Sequence, residues 1–249
     1  MIEILDILAP AFLLSLVLLG IHSYFGLEII KRGIIFTDLA IGQMAALGTA
    51  VSLLIWETEY YVVSLAFALL GALMIAYATK KVKHLEAYIG LLYALGVSFV
   101  VILLSHSAHG MEKFHELMAA DILFTPISEV YKTAVFYAFL GIGIYYAMKK
   151  TTGFMRDALF FVTFAVTVTS SVKLAGVLVI FSILISPALI ATIFKAKKPI
   201  FFAWGIGLVI NLVSILTSYF IDLPTGYTLV FFHALIAIFI CLIKPTIAD

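Results

Sequence analysis

Long apolar runs, separated by short polar or charged segments, account for most of the 249-residue chain. The runs are continuous rather than alternating, so they indicate helices and not the strands of a membrane barrel. A helix needs about 20 mostly apolar residues to cross a bilayer, and the runs are close to this length. We place them at residues 7–28, 33–56, 60–79, 85–105, 133–148, 157–172, 174–194, 199–220 and 227–243.

Composition supports the same fold class. Hydrophobic residues make up 64% of the chain and charged residues 12%, with a mean hydropathy of +1.21. Soluble domains carry about 25% charged residues. We therefore predict an all-α polytopic membrane protein in which residues 1–249 form a single transmembrane domain. The net charge of +1 gives no reason to expect a nucleic-acid partner.

The number of spans is eight or nine. Lys173 alone divides the runs 157–172 and 174–194, so one of these two is the weakest crossing and is short or re-entrant in the eight-span alternative. With nine spans and the N-terminus outside, 12 of the 15 basic residues lie in cytoplasmic segments. This asymmetry follows the positive-inside rule. We expect an outer N-terminus, a cytoplasmic C-terminus and a location in the cell membrane.

One segment outside the apolar runs is long, and we expect it on the outer face. Residues 106–132 contain His106, His109 and His115 together with Glu112 and Glu116. Imidazole and carboxylate groups at helical spacing could capture a divalent metal ion. Exposed histidines that bind nothing are the alternative, because no motif as restrictive as His-Glu-x-x-His occurs here.

The stretch 32–48 places a carboxylate and an amide inside an apolar run. An ionisable residue within a span is costly, so Asp38 is a candidate for the path of a transported ion, with Gln43 beside it in sequence. Pairing of Asp38 with Lys31 or Arg32 at the interface is the alternative. On an ideal helix Asp38 and Gln43 lie about 140° apart, so they share one ion only if Gly42 breaks the helix.

Two further features stand in the C-terminal half. Pro187 lies within an apolar run, which predicts a kinked or interrupted helix, and broken helices in transporters often line substrate cavities. Asp222-Leu223-Pro224-Thr225-Gly226 predicts a tight turn before the last span.

Taken together, these stretches resemble the membrane permeases of ABC transporters that import zinc, manganese or iron. The family's early motif, Arg-Arg followed by Gly-Asp-Ala-x-x-His-Ala and a small-residue run, is similar to Lys31-Arg32, Asp38, Gln43, Ala45, Ala46 and Gly48. Its late motif, Gly-Val-Leu-Leu and then Pro-Ala-x-x-Ala, is similar to Gly176-Val177-Leu178, Pro187-Ala188 and Ala191. Its Asp-x-Pro-x-Gly turn is similar to Asp222, Pro224 and Gly226. The resemblance extends from about residue 12 to residue 243.

Two features depart from the family pattern. Gln43 stands where the family has histidine, and Asp38 precedes it by five residues rather than four. The cytoplasmic segment on which such permeases seat their ATPase is reduced to residues 149–157.

The resemblance implies the permease subunit of an ATP-driven importer of divalent metal ions, working as a homodimer. It implies a cytoplasmic ATPase and an external metal-binding protein as partners. No phosphate-binding P-loop motif occurs in this chain, so we expect no cofactor here and ATP bound by the partner subunit. The alternatives are an ATPase-independent secondary transporter or channel and, third, a membrane enzyme, for which no catalytic motif appears.

Overall fold

The computed structural model describes residues 2–106, 109–120 and 122–244, and the side chains from residue 8 onward. Within these ranges the chain forms ten α-helices and one short 3₁₀ helix, Ile122–Phe124, and no strand. The α-helices are α1 Ile2–Arg32, α2 Thr37–Trp56, α3 Tyr61–Lys81, α4 Leu85–Leu104, α5 Gly110–Met118, α6 Ile127–Lys150, α7 Gly153–Ala175, α8 Val177–Ile193, α9 Pro199–Ile221 and α10 Thr225–Ile243. The all-α prediction is confirmed.

Eight of these helices are long and apolar enough to cross a membrane. The remaining apolar helix, α8, has 17 residues, the lower end of the length that can span a bilayer, so the doubtful crossing lies where the sequence placed it. The break between α7 and α8 falls at Gly176, not at Lys173. Gly176 adopts φ 85°, a conformation that residues with a Cβ avoid, and its N–H closes α7 on the carbonyl of Val172.

Pro187 was predicted to kink or interrupt its helix; the interruption is wrong, and the kink stays a prediction. α8 remains helical from Val177 to Ile193 with Pro187 inside it. Within a membrane, neighbouring helices and hydroxyl side chains can compensate the lost backbone hydrogen bond. The hydroxyl of Ser186, the preceding residue, donates a 2.9 Å hydrogen bond to the carbonyl of His233 on α10.

The chain folds into two compact units. The first comprises the described residues of 1–32, 119–137 and 178–249, and the second those of 33–118 and 138–177. In the first, Asn211 on α9 donates to the carbonyl of Ser15 on α1, and its amide oxygen lies 2.8 Å from Nε2 of His233 on α10. This buried polar cluster joins three helices of that unit. That residues 1–249 form a single domain stays a prediction.

In the second unit, α2 packs against α3, α4 and α7. In α2, 67% of the apolar stretch is buried, a larger share than in any other candidate span. Small residues allow this close packing. A Cβ on Gly48 would lie 2.6 Å from the Cα of Ser64 on α3, and a Cβ on Gly96 of α4 would lie 2.9 Å from the Cβ of Gln43. The helix that carries both intramembrane site candidates is therefore the buried centre of its unit.

Candidate functional site

Asp38 is the second residue of α2, and its side chain is buried, with 1% exposed. Neither of its carboxylate oxygens has a hydrogen-bond partner among the described residues. The interfacial alternative of the sequence analysis is not realised, since Lys31 instead donates to Glu28 at 2.9 Å. A buried, unpaired carboxylate is expensive, and it normally holds a cation or a proton. Asp38 therefore has the environment of a group that holds either a cation or a proton.

Gln43 lies on a different face of α2. The helix is continuous from Thr37 to Trp56, so Gly42 does not break it and the expected separation of about 140° from Asp38 holds. The Gln43 side chain is fully buried and its amide nitrogen lies 3.4 Å from the thioether sulfur of Met118. Its amide oxygen has no hydrogen-bond partner among the described residues. The two residues thus belong to separate environments rather than to one shared ion site.

A small polar cavity lies further along α2, two to three helical turns beyond Asp38, and Asp38 does not line it. Ala45 and Thr49 line this cavity, and on an ideal helix both lie within about 20° of Asp38. It measures about 30 Å³ and also includes Ser64 of α3 and Thr169 of α7. The hydroxyls of Thr49 and Ser64 are 2.5 Å apart.

Charged residues close the other end of this cavity. Lys113 of α5 pairs with Glu59, in the loop between α2 and α3, and with Glu116 at 2.7 Å. Burial lowers the pKa of Lys113, but the hydrogen bonds and charges of Glu116 and Glu59 outweigh it, so the pKa is raised above its ordinary value. The ammonium group thus stays charged and fixes α5 to the α2–α3 loop.

The three histidines of residues 106–132 do not form one cluster. His106 and His109 line a cavity of about 490 Å³ together with Glu57, whereas His115 is not among its lining residues. His109 lies 3.5 Å from Glu112, with both side chains more than 80% exposed. Within the described ranges, no three His, Cys, Asp or Glu side chains are arranged to hold a metal ion. A metal role for His106, His109 and His115 stays a prediction.

Sequence reasoning missed Met118 and treated the whole of 106–132 as an outer segment. In the structure α5 ends on buried Leu117 and Met118, and Met118 contacts the seventh residue of α2. The apolar stretch 117–120, directly after charged residues, was the available signal for burial. Its partner on α2 was not predictable, because 75 residues separate Met118 from Gln43.

The shortened segment 149–157 is confirmed as a tight connection. α6 ends at Lys150 and α7 begins at Gly153, so only Thr151 and Thr152 lie between the helices. Gly153 adopts φ 58°, which permits the sharp turn. Phe154 and Met155 follow as exposed apolar side chains, and Lys80 lies 3.8 Å above the Phe154 ring. No separate helix is available here to seat a partner.

Comparison with known proteins shows a similar fold and a sequence match over part of the chain. The fold is similar to that of PsaBC from Streptococcus pneumoniae, solved in complex with a Fab, with a TM-score of 0.79. The similarity covers 98% of this chain and 95% of that chain at 20% sequence identity. Residues 151–244 match the family model of the ABC 3 transport family. No curated protein sequence matches the chain.

These findings describe a multi-pass membrane protein with the fold of PsaBC, part of whose sequence matches a family of transport proteins. The particular relationship is to the ABC 3 transport family, and the sequence match to it is confined to 151–244. The structural similarity covers 98% of the chain and so extends beyond the residues of the sequence match.

Proposed function

We propose that this chain is the permease subunit of an ATP-driven importer of divalent metal ions, with zinc, manganese or iron as the substrate. The observation that carries the proposal is Asp38, a buried carboxylate without a hydrogen-bond partner among the described residues. A cation is the ligand that such a group favours. The motif resemblance around Asp38, Pro187 and Asp222 supports the same substrate class.

The proposed complex contains two copies of this chain, a cytoplasmic ATPase and an external metal-binding protein. The ATPase binds and hydrolyses ATP, since this chain carries no P-loop motif. The basic segments at the ends of α1, α3, α6 and α8 are the proposed cytoplasmic side. Residues 106–132 and the turn at Asp222 are the proposed outer side, where the binding protein delivers the ion.

Uptake measurements on variants of Asp38 and Gln43 test whether these residues lie on the path of the transported ion. In vesicles that contain the chain with its ATPase and binding protein, we expect ATP-dependent accumulation of Zn²⁺, Mn²⁺ or Fe²⁺. Asp38→Ala combined with Gln43→Ala should reduce accumulation to background, and each single variant then shows which of the two separate environments is essential. Gly90→Ala is the control, because no atom lies within 4 Å of the added Cβ on α4, and it should transport normally. Unchanged uptake by the double variant would remove both residues from the path.

A second candidate is an ATPase-independent secondary transporter or channel for a small cation. The two-residue connection between α6 and α7 favours it, because an ATPase needs a cytoplasmic surface on which to seat. Purification from detergent discriminates between the two. A stoichiometric ATPase partner supports the importer, whereas its reproducible absence together with ATP-independent uptake supports the second candidate.

A further inference from the structure

An apolar groove lies between α8 and α10 in the first unit. Its volume is about 340 Å³, and it is lined by one face of α8 between Phe181 and Leu189 and one face of α10 between Ala234 and Leu242. We refer to it as the α8–α10 groove. Ser182 and Ser186 line it as well, but their hydroxyls already donate to backbone carbonyls. The surface of the groove is therefore apolar, which favours hydrocarbon over water.

The length of the α8–α10 groove is close to the depth of one leaflet of a bilayer. Its α8 wall, from Phe181 to Leu189, is about 12 Å long. The hydrocarbon core of a bilayer is about 30 Å thick, so one leaflet contributes about 15 Å. On α10 the groove is bordered by Ile238 and Leu242, whose side chains are 58% and 76% exposed, so it is open along this helix. An acyl chain from one leaflet fits these dimensions.

Lysines stand where α8 and α10 end, beside this groove. Lys244 directly follows α10, and its Nζ lies 4.2 Å from the ring centroid of Phe194, the first residue after α8. Lys195, Lys197 and Lys198 occupy the short connection from α8 to α9. The described ion pairs include none of these four lysines. An anionic group at the end of the groove would therefore meet positive charges that no described acid neutralises.

A second copy of this chain is the other apolar partner that the groove could accept. Two copies of a membrane protein share one orientation, so the basic end of the second copy would lie at the same level as these lysines. Like charges brought together at an interface oppose association. A lipid phosphate instead neutralises them, so the charges favour a lipid as the occupant.

We propose that the α8–α10 groove binds one anionic phospholipid, with an acyl chain between the two helices and the phosphate on Lys244 and Lys195. Basic residues next to a membrane attract anionic headgroups, and each contributes about fivefold in affinity. The lipid fills the space between the two helices and holds the short α8, of 17 residues, in place. The proposal does not depend on which ion is transported, so it can fail without the proposed function failing.

Alkylation of Cys241 tests occupancy of the groove. This residue is the only cysteine of the chain and lines the groove, so no engineered reporter is needed. In neutral detergent, phosphatidylglycerol should protect the thiol of the full-length chain from a small maleimide. It should do so at a mole fraction about 25-fold lower than phosphatidylcholine with the same acyl chains, about fivefold for each of the two lysines.

The lysine variants test the headgroup site. Lys244→Gln should raise the protective fraction of phosphatidylglycerol about fivefold and leave that of phosphatidylcholine unchanged. Lys149→Gln is the matched control, because Lys149 also lies over an aromatic ring, that of Tyr145 at 4.1 Å, but does not line the groove. Equal protection by the two lipids, or an unchanged response in Lys244→Gln, overturns the proposal. Protection without added lipid that is lost on dilution would also overturn it, because a second copy would then cover the groove.

Native mass spectrometry gives a second readout that does not depend on the thiol. The wild type should retain one phosphatidylglycerol per chain, and Ala234→Phe, which places a ring in the groove, should not. Leu235→Phe is the control, since Leu235 is 49% exposed and does not line the groove, and it should retain the lipid. Absence of retained lipid in the wild type, or equal retention in all three proteins, contradicts the proposal.

Discussion

Asp38→Asn should make the metal-free protein more stable while it abolishes the response to metal. The wild-type carboxylate is buried and unpartnered, so it is a destabilising group until a cation binds. Asparagine has nearly the same shape and removes only the charge. The substitution therefore separates the cost of the buried charge from the packing of α2.

The size of the expected stabilisation depends on whether the two carboxyl oxygens of Asp38 carry a charge. When the carboxyl is ionised, as at alkaline pH, a buried charge left without its partner costs about 3–5 kcal/mol, and an unpaired neutral polar group costs about 1–3 kcal/mol. A proton on the carboxyl removes this difference, so the comparison is made at alkaline pH. The difference predicts that Asp38→Asn gains about 2 kcal/mol in the free energy of unfolding. For a chain of this size each kcal/mol moves the unfolding midpoint by about 2–4 °C, so we expect a rise of about 4–8 °C.

The assay is thermal unfolding of the purified protein in detergent, with a chelator and then with each of Zn²⁺, Mn²⁺ and Fe²⁺. A metal at about 100 times its dissociation constant stabilises the wild type by about 2.7 kcal/mol. Asp38→Asn should show no metal-dependent shift. Asp222→Asn is the control, because Asp222 is exposed and adopts φ 57°, which asparagine tolerates, so its midpoint should match the wild type.

Two results would refute this reasoning. An unchanged or lower midpoint for metal-free Asp38→Asn would mean that the carboxylate is not an uncompensated charge in the folded protein. A full metal-dependent shift in the variant would mean that the stabilising ion binds elsewhere. Either result would withdraw the observation on which the proposed function depends.

Two further predictions concern the packing and charges around α2. Gly48→Ala forces the backbones of α2 and α3 apart and should cost about 1–3 kcal/mol, measured as a lower unfolding midpoint. Lys113→Met removes the pairs with Glu59 and Glu116 and should cost about 1 kcal/mol at neutral pH. Because the folded-state pKa of Lys113 is raised, the wild-type advantage is complete below the ordinary value of 10.5 and disappears as the pH rises through the folded-state value.

Matched variants isolate both effects. Gly90→Ala lies on α4 with no atom within 4 Å of the new Cβ, and it should leave the midpoint unchanged or slightly raised. A similar loss in Gly90→Ala and Gly48→Ala would contradict the close approach of α2 and α3. Lys132 pairs only with Glu129 on its own helix among the described ion pairs, so Lys132→Met should have little effect. A Lys113→Met deficit that persists once the pH is well above the folded-state pKa would contradict the ion-pair origin.

The membrane fold was readable from the sequence because its signal is local. A helix that crosses a bilayer must satisfy its backbone hydrogen bonds internally, and it needs about 20 mostly apolar residues. Each span can therefore be recognised from one continuous stretch of sequence. α3, α4, α9 and α10 begin and end within two residues of the predicted runs. The pair of runs 157–172 and 174–194 was the weakest prediction because Lys173 alone divides it, and the structure shows that the shorter helix of the two is α8. Pro187 misled because the surrounding helices, not the local sequence, decide whether a proline interrupts a span.

Only part of the candidate site could be predicted from the sequence. Asp38 could be selected as a candidate from the sequence alone, because an acidic residue inside an apolar run is costly in lipid whichever way its side chain points. That Asp38 has no partner, that Gln43 faces elsewhere, and that Met118 meets Gln43 across 75 residues all depend on how the helices pack. Small residues such as Gly48 and Gly96 allow neighbouring helices to approach closely. The hydrophobic pattern of the sequence does not show which helices these residues bring together. The sequence by itself determined the spans and the residue that carries a buried charge. The tertiary structure decided which atoms surround it.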